Sequence, residues 1–251
     1  GDVYKRQENL SLKVAFEPTP DTRLLLSLEQ FDNETDSILL SDAGTISRGT
    51  LIESRTAADT RDRMRVSLRL DLNVDAVIAD TVSAKIYNQS SETLQKLDET
   101  RMPPPYMSPQ FRKRDSMFEQ TLKGASFEVT KAFTVGNSDH SLTYGAERFE
   151  TESESTRDGG TVDSSGTPLF EFSPLPTRDF PTTNVETTAI FIQSEMALLS
   201  DRFLLMPGLR YDDVKATTAP DMLYFAGNPG VGAPTDFEDS ATSLKLGALY
   251  R

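Results

Sequence analysis

Apolar and polar residues alternate with a period of two along most of the chain, which is typical of strands with one apolar face. About nine such segments recur, and nothing comparable recurs at helical spacing. Their apolar members are Leu10, Leu12, Val14 and Phe16; Leu24, Leu26 and Leu28; Met64, Val66, Leu68, Leu70 and Leu72; Val82, Ala84 and Ile86; Phe127, Val129 and Phe133; Leu142, Tyr144 and Ala146; Ile190, Ile192, Met196 and Leu198; Phe203, Leu205, Leu209 and Tyr211; and Leu244, Leu246, Ala248 and Tyr250. The pattern predicts an all-β protein.

The connections between these segments alternate between short and long. We expect short connections near 18–22, 73–80, 135–140 and 200–202, and long ones near 34–61, 91–117, 151–185 and 214–241. Structureless loops that long are uncommon in compact soluble domains. Outer-membrane barrels combine short periplasmic turns with long external loops. The sequence therefore predicts a partial transmembrane antiparallel up-and-down β-barrel, with a soluble β-sandwich as the alternative.

The segment from 63 to 72 carries arginines on its polar face, including Arg65 and Arg69. An arginine facing lipid at the membrane midplane costs about 2–4 kcal/mol, so this face must be wet. A water-filled lumen meets that need, and so does the solvated face of a soluble sheet. Pro207 removes a ladder hydrogen bond from its strand, and with Gly208 it predicts a bulge or local bend.

Composition narrows the classes of function. Acidic residues number 39 against 26 basic ones, without a basic cluster, so nucleic acid is not an expected partner. The sequence has no cysteine, which excludes disulfides and thiolate chemistry. No apolar run approaches the roughly 20 residues of a membrane-spanning helix. No signal peptide is visible, and we expect the chain to be an internal fragment in which residues 1–7 are a non-native extension and residues 8–251 belong to the barrel.

The last third of the chain resembles a known family. The resemblance lies in "TRDFPTTNVETTAIFIQSEMALLSDRFLLMPGLRYDD" and in the terminal "KLGALYR". Its characteristic residues are Arg178, Asp179, Phe180, Pro181, Phe191, Gln193 and Glu195. These segments are similar to the barrel of TonB-dependent outer-membrane receptors, and most similar to the haem and haemoglobin receptor group.

The resemblance implies a 22-stranded barrel around an N-terminal plug, of which this chain would supply about nine strands. It implies a location in the outer membrane of a Gram-negative bacterium, contact with outer-membrane lipid, and energy supplied by the TonB complex through an N-terminal region that we do not find here. It also implies haem as the transported ligand, from haem or a haem-carrying protein at the extracellular loops, with no cofactor resident in this segment. The family's haem-binding histidine would lie beyond Arg251.

Candidate ligand contacts lie in two of the expected long loops. The first follows the proline run "RMPPPY" and offers Tyr106, Met107 and Phe111, which could hold aromatic and thioether contacts towards a ligand. The second offers an apolar cluster in a polar region, composed of Met222, Tyr224 and Phe225 beside Leu223. A rigid spacer and inward packing are the structural alternatives for these loops.

No catalytic motif is present, and neither an enzyme nor a metal site is expected. The single histidine, His140, lies near an expected periplasmic turn, which argues against a role as haem ligand. Three hypotheses remain open: a haem receptor, a receptor for a ferric siderophore or another scarce nutrient, and a soluble β-rich binding module.

Overall fold

A computed structural model describes residues 3–47, 49–105, 108–136, 138–171, 174–199 and 202–250. These residues form ten strands and one short helix. The elements are β1 (Val3–Thr19), β2 (Thr22–Ile38), β3 (Ile46–Ser47), β4 (Thr50–Asn73), β5 (Thr81–Met102), β6 (Gln110–Val135), β7 (Ser138–Asp163), β8 (Thr182–Leu198), β9 (Phe203–Ala219), α1 (Met222–Gly227) and β10 (Phe237–Tyr250). No helix among the described residues is long and apolar enough to cross a membrane.

The strands form one open sheet in the order β1-β2-β4-β5-β6-β7-β8-β9-β10, and the two-residue strand β3 pairs with β4. Each long strand is antiparallel to the next one along the chain. The all-β, up-and-down architecture expected from the sequence is confirmed. The nine alternating segments correspond to the nine long strands, and only β3 adds to them.

One face of the sheet is an apolar surface that crosses every long strand. Its residues are paired in register, so that a single row contains Leu72, Val82, Val129, Tyr144, Ile192, Leu209 and Leu244. The same registers place all the alternating apolar residues of the sequence on this face. Most of them are exposed, as Leu12, Ile190 and Leu244 illustrate. A sheet whose apolar face is left bare must contact an apolar environment that the chain itself does not supply.

The long strands extend well beyond this apolar surface. β6 and β7 contain 26 residues each, whereas about 9–11 residues suffice for a strand to cross a membrane. On the apolar face the apolar positions end at Ala125 in β6 and Ala146 in β7. The next positions on that face are Lys123 and Arg148. Each long strand therefore has an apolar span followed by a polar extension.

The very long loops predicted from the sequence are wrong, because the polar extensions of the strands occupy much of their length. The connections at that end cover only 39–49, 103–109, 164–181 and 220–236, because much of each expected loop is strand. The connection 103–109 is no longer than 74–80 at the opposite end, so the short–long rhythm is less regular than expected. The cause is physical: beyond the apolar span both faces are wet, so the alternation stops while the backbone ladder continues.

Two smaller expectations concern Pro207 and the N-terminus. The β8–β9 ladder lacks the pairs 194–207 and 195–206 and resumes at Met196–Leu205 in unchanged register, so there is no bulge at Pro207, and the local bend stays a prediction. At the N-terminus, residues 3–7 pair with β2 from Val3–Ser37 to Gln7–Asn33. Their assignment as a non-native extension stays a prediction.

Lys131 is a charged residue within the apolar face of β6, at the alternate position between Val129 and Phe133. A lysine on a lipid-facing strand costs about 2–4 kcal/mol at mid-membrane if it has no partner. Its Nζ lies 2.5 Å from Asp80 Oδ1 and donates to the Ala76 carbonyl at 2.9 Å. Both partners come from the connection 74–80, which folds against the apolar face.

Candidate ligand pocket

A basic pocket lies on the polar face of the sheet, at the end where the strands are extended. It has a volume of about 560 Å³. Its floor is formed by β5, β6 and β7, whose side chains on one face are spaced two residues apart. The four basic residues that line it are Arg101, Arg112, Arg114 and Arg157, and the acidic ones are Glu171 and Asp179.

Two of the arginines are matched one to one by carboxylates. Arg114 Nη2 donates to Glu171 Oε2 at 2.5 Å, and Thr161 Oγ1 donates to the other oxygen of that carboxylate at 2.6 Å. Arg157 Nη2 donates to Asp179 Oδ2 at 2.6 Å. These pairs leave little net charge on their side of the pocket.

The other two arginines share a single buried carboxylate. Glu99 has a side chain that is 1% exposed, and it lies 3.5 Å from Arg101 Nε and 3.7 Å from Arg112 Nη1. The same carboxylate accepts a hydrogen bond from Arg55 outside the pocket. The Nε atoms of Arg101 and Arg112 are buried without a hydrogen-bond acceptor. Three guanidinium groups therefore converge on Glu99, and Arg55 has a second carboxylate partner in Asp42 at 2.5 Å. Arg101 and Arg112 have no other carboxylate partner within ion-pair distance among the described residues, and their side chains line the pocket.

The electrostatic environment of Arg112 is consistent with this excess of positive charge. Burial lowers the pKa of Arg112, and the neighbouring Arg114 and Arg101 lower it further, whereas Glu99 and Glu171 act in the opposite direction. A bound anion would offset both the burial and the repulsion between the guanidinium groups.

The roof of the pocket consists of the connections 164–181 and 220–236, which are held together by Arg178. This residue is 9% exposed. Its Nε donates to Asp221 Oδ2 at 2.9 Å, and its Nη1 lies 2.6 Å from Glu154 Oε1 on β7. Its backbone N–H donates to the Leu223 carbonyl at 3.0 Å. One buried guanidinium thus joins both connections to the sheet.

Two further features of α1 favour this arrangement. Asp221 caps the helix by accepting from the Tyr224 backbone N–H at 2.9 Å. That hydrogen bond, together with Arg178, lowers the pKa of Asp221 below its usual value. At the other end of α1, a Cβ on Gly227 would lie 2.1 Å from Thr177 Oγ1 and 2.5 Å from the Arg178 carbonyl oxygen. Only glycine allows the two connections to approach this closely.

Four of the ligand contacts expected from the sequence belong to the described residues, and none of these four lines the pocket. Phe111 is exposed on β6 at an odd-numbered position, on the side opposite to Arg112. Met222, Tyr224 and Phe225 belong to α1, where Tyr224 is buried and contacts Phe225 with ring centroids 5.3 Å apart. Tyr106 and Met107 lie outside the described residues. The role of all these residues in ligand contact stays a prediction.

The pocket arginines were not among the residues expected from the sequence. Arg112 and Arg114 have the two-residue spacing that places side chains on one face of a strand, which was an available signal. Arg101 and Arg157 are brought to them only by the registers of β5 and β7 with β6. His140, by contrast, is the third residue of β7 and stacks on Phe133 with ring centroids 5.4 Å apart. At about 3.3 Å per residue it lies roughly 55 Å along β7 from Arg157.

Comparisons with known proteins agree with this architecture. Residues 9–251 match the family model described as TonB dependent receptor-like, beta-barrel. Among solved structures, the ferric preacinetobactin receptor BauA of Acinetobacter baumannii is 14% identical over 99% of this chain and 38% of its own, with a TM-score of 0.60. The ferric citrate transporter FecA is 17% identical over 98% of this chain and 34% of its own, with a TM-score of 0.62.

A third solved structure, the ferric-catecholate import receptor Fiu from E. coli K12, is 16% identical over 99% of this chain and 45% of its own, with a TM-score of 0.52. No curated protein matches the sequence. At these identities the solved structures show the fold alone, and the chain spans less than half of each of them.

The family match covers nearly the whole chain, so the chain belongs to the TonB-dependent receptor β-barrel family. Members of this family are outer-membrane proteins of Gram-negative bacteria. The apolar face of the sheet is therefore the lipid-facing wall of a barrel segment, and the polar face with its arginines faces the lumen. The haem and haemoglobin subgroup expected from the sequence is not confirmed.

Proposed function

We propose that this chain is the ligand-binding part of the barrel of a receptor that imports an anionic iron chelate across the outer membrane. The observation that carries the proposal is the pair Arg101 and Arg112. Both side chains line the pocket on the lumen face at the extended end of the strands, and they share one buried carboxylate with Arg55. Ferric siderophores built from carboxylate or catecholate groups present the oxygen-bound negative charge that arginine recognises.

The fold neighbours support the same chemistry without establishing it. BauA, FecA and Fiu are described as receptors or transporters of ferric preacinetobactin, ferric citrate and ferric catecholates. A ferric chelate in the pocket would accept from guanidinium groups in a partly buried site, where charged hydrogen bonds are worth more than in water.

Haem, the cargo implied by the sequence resemblance, is the less favoured candidate. The only histidine of the sequence, His140, lies on the lipid-facing side of β7 at the end opposite to the pocket. The basic pocket could accept haem propionates, but this segment offers no imidazole there to bind the iron.

The proposal is tested by ligand titration of the complete receptor in detergent. Ferric citrate, a ferric catecholate, a neutral ferric hydroxamate and haem are compared by the same binding assay. We expect an anionic ferric chelate to bind at least about tenfold more tightly than the neutral hydroxamate, because one charged hydrogen bond contributes roughly 1.5–3 kcal/mol. Equal or tighter binding of the neutral chelate, or of haem, would contradict the proposal.

A further inference from the structure

The connection 74–80 behaves differently from an ordinary periplasmic turn because it folds back onto the outside of the barrel wall. Tyr144, on the lipid-facing row of β7, donates its hydroxyl to the Ile78 carbonyl at 3.0 Å. Lys131, on the same face of β6, donates to the Ala76 carbonyl at 2.9 Å. Val129, which belongs to this otherwise exposed face, is 5% exposed, and Ala79 in the connection is 6% exposed.

The depth of the connection follows from the sheet register. It meets β6 at Thr130, where the Asp80 N–H donates to the Thr130 carbonyl at 2.8 Å. Beyond that point β6 and β7 continue towards their hairpin, and their lipid-facing positions include the apolar Phe133, Val135 and Leu142 as well as the polar Lys131 and His140. The connection therefore lies beside the last positions of the wall, where the apolar surface gives way to polar residues.

Several polar groups of the connection are paired within the protein, whereas Asp75 is exposed and forms no ion pair with the described residues. The Asp80 carboxylate accepts from Lys131 Nζ at 2.5 Å and from the Ala132 N–H at 2.7 Å. The Ala76 N–H donates to the Ala79 carbonyl at 3.0 Å, and the Val74 N–H donates to the Asp80 carbonyl at 2.7 Å. At its tip the connection presents two aliphatic side chains, with Val77 92% and Ile78 69% exposed.

We propose that the connection 74–80 is a membrane anchor whose Val77 and Ile78 side chains insert into the periplasmic leaflet, while its backbone and the exposed Asp75 stay at the level of the lipid headgroups. It extends the lipid-facing wall outward, and Asp80 neutralises Lys131 so that this lysine can remain on the lipid-facing side. The occupant is lipid, because the patch formed by Val77 and Ile78 is continuous with the apolar surface of the barrel.

The test places a nitroxide label at position 77 of the complete receptor, reconstituted in phospholipid vesicles, by the Val77→Cys substitution. This segment has no cysteine of its own. Collisions with oxygen, which concentrates in hydrocarbon, are compared with collisions with a water-soluble nickel chelate. Matched labels at Leu26→Cys, on the lipid-facing wall, and at Val231→Cys, in the exposed connection 220–236, define the two limits.

We expect the label at 77 to resemble that at 26, with nickel-chelate accessibility at least about tenfold lower than at 231, because a charged chelate is excluded from hydrocarbon. A label at 77 that matches the one at 231 would overturn the proposal. So would a label shielded from both reagents, since that result means that protein covers the tip. The label at 26 verifies in each case that the barrel is folded and inserted.

Discussion

Replacing both Arg101 and Arg112 by glutamine is expected to weaken binding of an anionic ferric chelate to the complete receptor by about 100-fold or more. Each substitution removes a guanidinium group that lines the pocket and shares the Glu99 carboxylate with other arginines. A hydrogen bond to a charged group contributes roughly 1.5–3 kcal/mol, and 1.4 kcal/mol corresponds to a factor of ten. Equilibrium titration of the detergent-purified receptor measures the change.

The matched control is Arg148→Gln. Arg148 is an exposed arginine on the outward side of β7, where it pairs with Glu186 at 2.6 Å. We expect the affinity of this variant to stay within about twofold of the unmodified receptor, since an exposed ion pair contributes little. Equal losses in both variants would mean that the total charge of the extended strands, rather than the pocket, attracts the ligand.

The second large effect is expected from Glu99→Gln, which removes the carboxylate that Arg55, Arg101 and Arg112 share. Removing one partner of a buried ion pair, so that the other stays buried without it, typically costs about 3–5 kcal/mol of folding free energy. Because the side chains of these arginines are between 18% and 31% exposed, we expect a smaller local cost of about 2–3 kcal/mol. The extended ends of β4, β5 and β6 should then exchange amide hydrogens roughly 30- to 150-fold faster.

A control for this substitution is Glu119→Gln, which changes an exposed glutamate on the outward side of β6. Its exchange rates should remain unchanged. In Glu99→Gln, the lipid-facing spans of the same strands should also keep their protection, because the effect is confined to the pocket end. Unchanged exchange at residues 95–102 and 110–116 in Glu99→Gln would show that the shared carboxylate does not hold these strand ends together.

The membrane-spanning part of the fold was predictable from the sequence because one physical rule governs it. Residues such as Leu26, Leu68 and Ile86 face lipid while their neighbours face the lumen, so alternation marks each strand directly. The rule fails beyond the membrane. Thr93, Gln95 and Leu97 continue β5 on the lumen side, yet water on both sides removes the demand for alternation, and the sequence indicated a loop there.

The pocket was less predictable, since its residues are brought together by sheet register and not by sequence spacing. Glu99 and Arg112 are direct partners in the β5–β6 ladder, and Arg55 is the partner of Glu99 on the other side. An error of one residue in either register would place these side chains on opposite faces. The roof of the pocket was not predictable either. The helix α1 has only six residues, too few for a helical pattern in the sequence, and its N-cap residue Asp221 is held by Arg178 from another connection.

The lumen pocket and the membrane anchor both require that the apolar face of the sheet contacts lipid, and β4 offers the most direct measurement of this. A photoreactive amino acid is placed in turn at positions 66, 67, 68 and 69 of the complete receptor in native outer membranes, and lipid adducts are detected after irradiation. We expect adducts from positions 66 and 68, where Val66 and Leu68 face lipid, and none from positions 67 and 69, where Ser67 and Arg69 face the lumen. Adducts from 67 and 69, or equal yields from all four positions, would contradict this expectation.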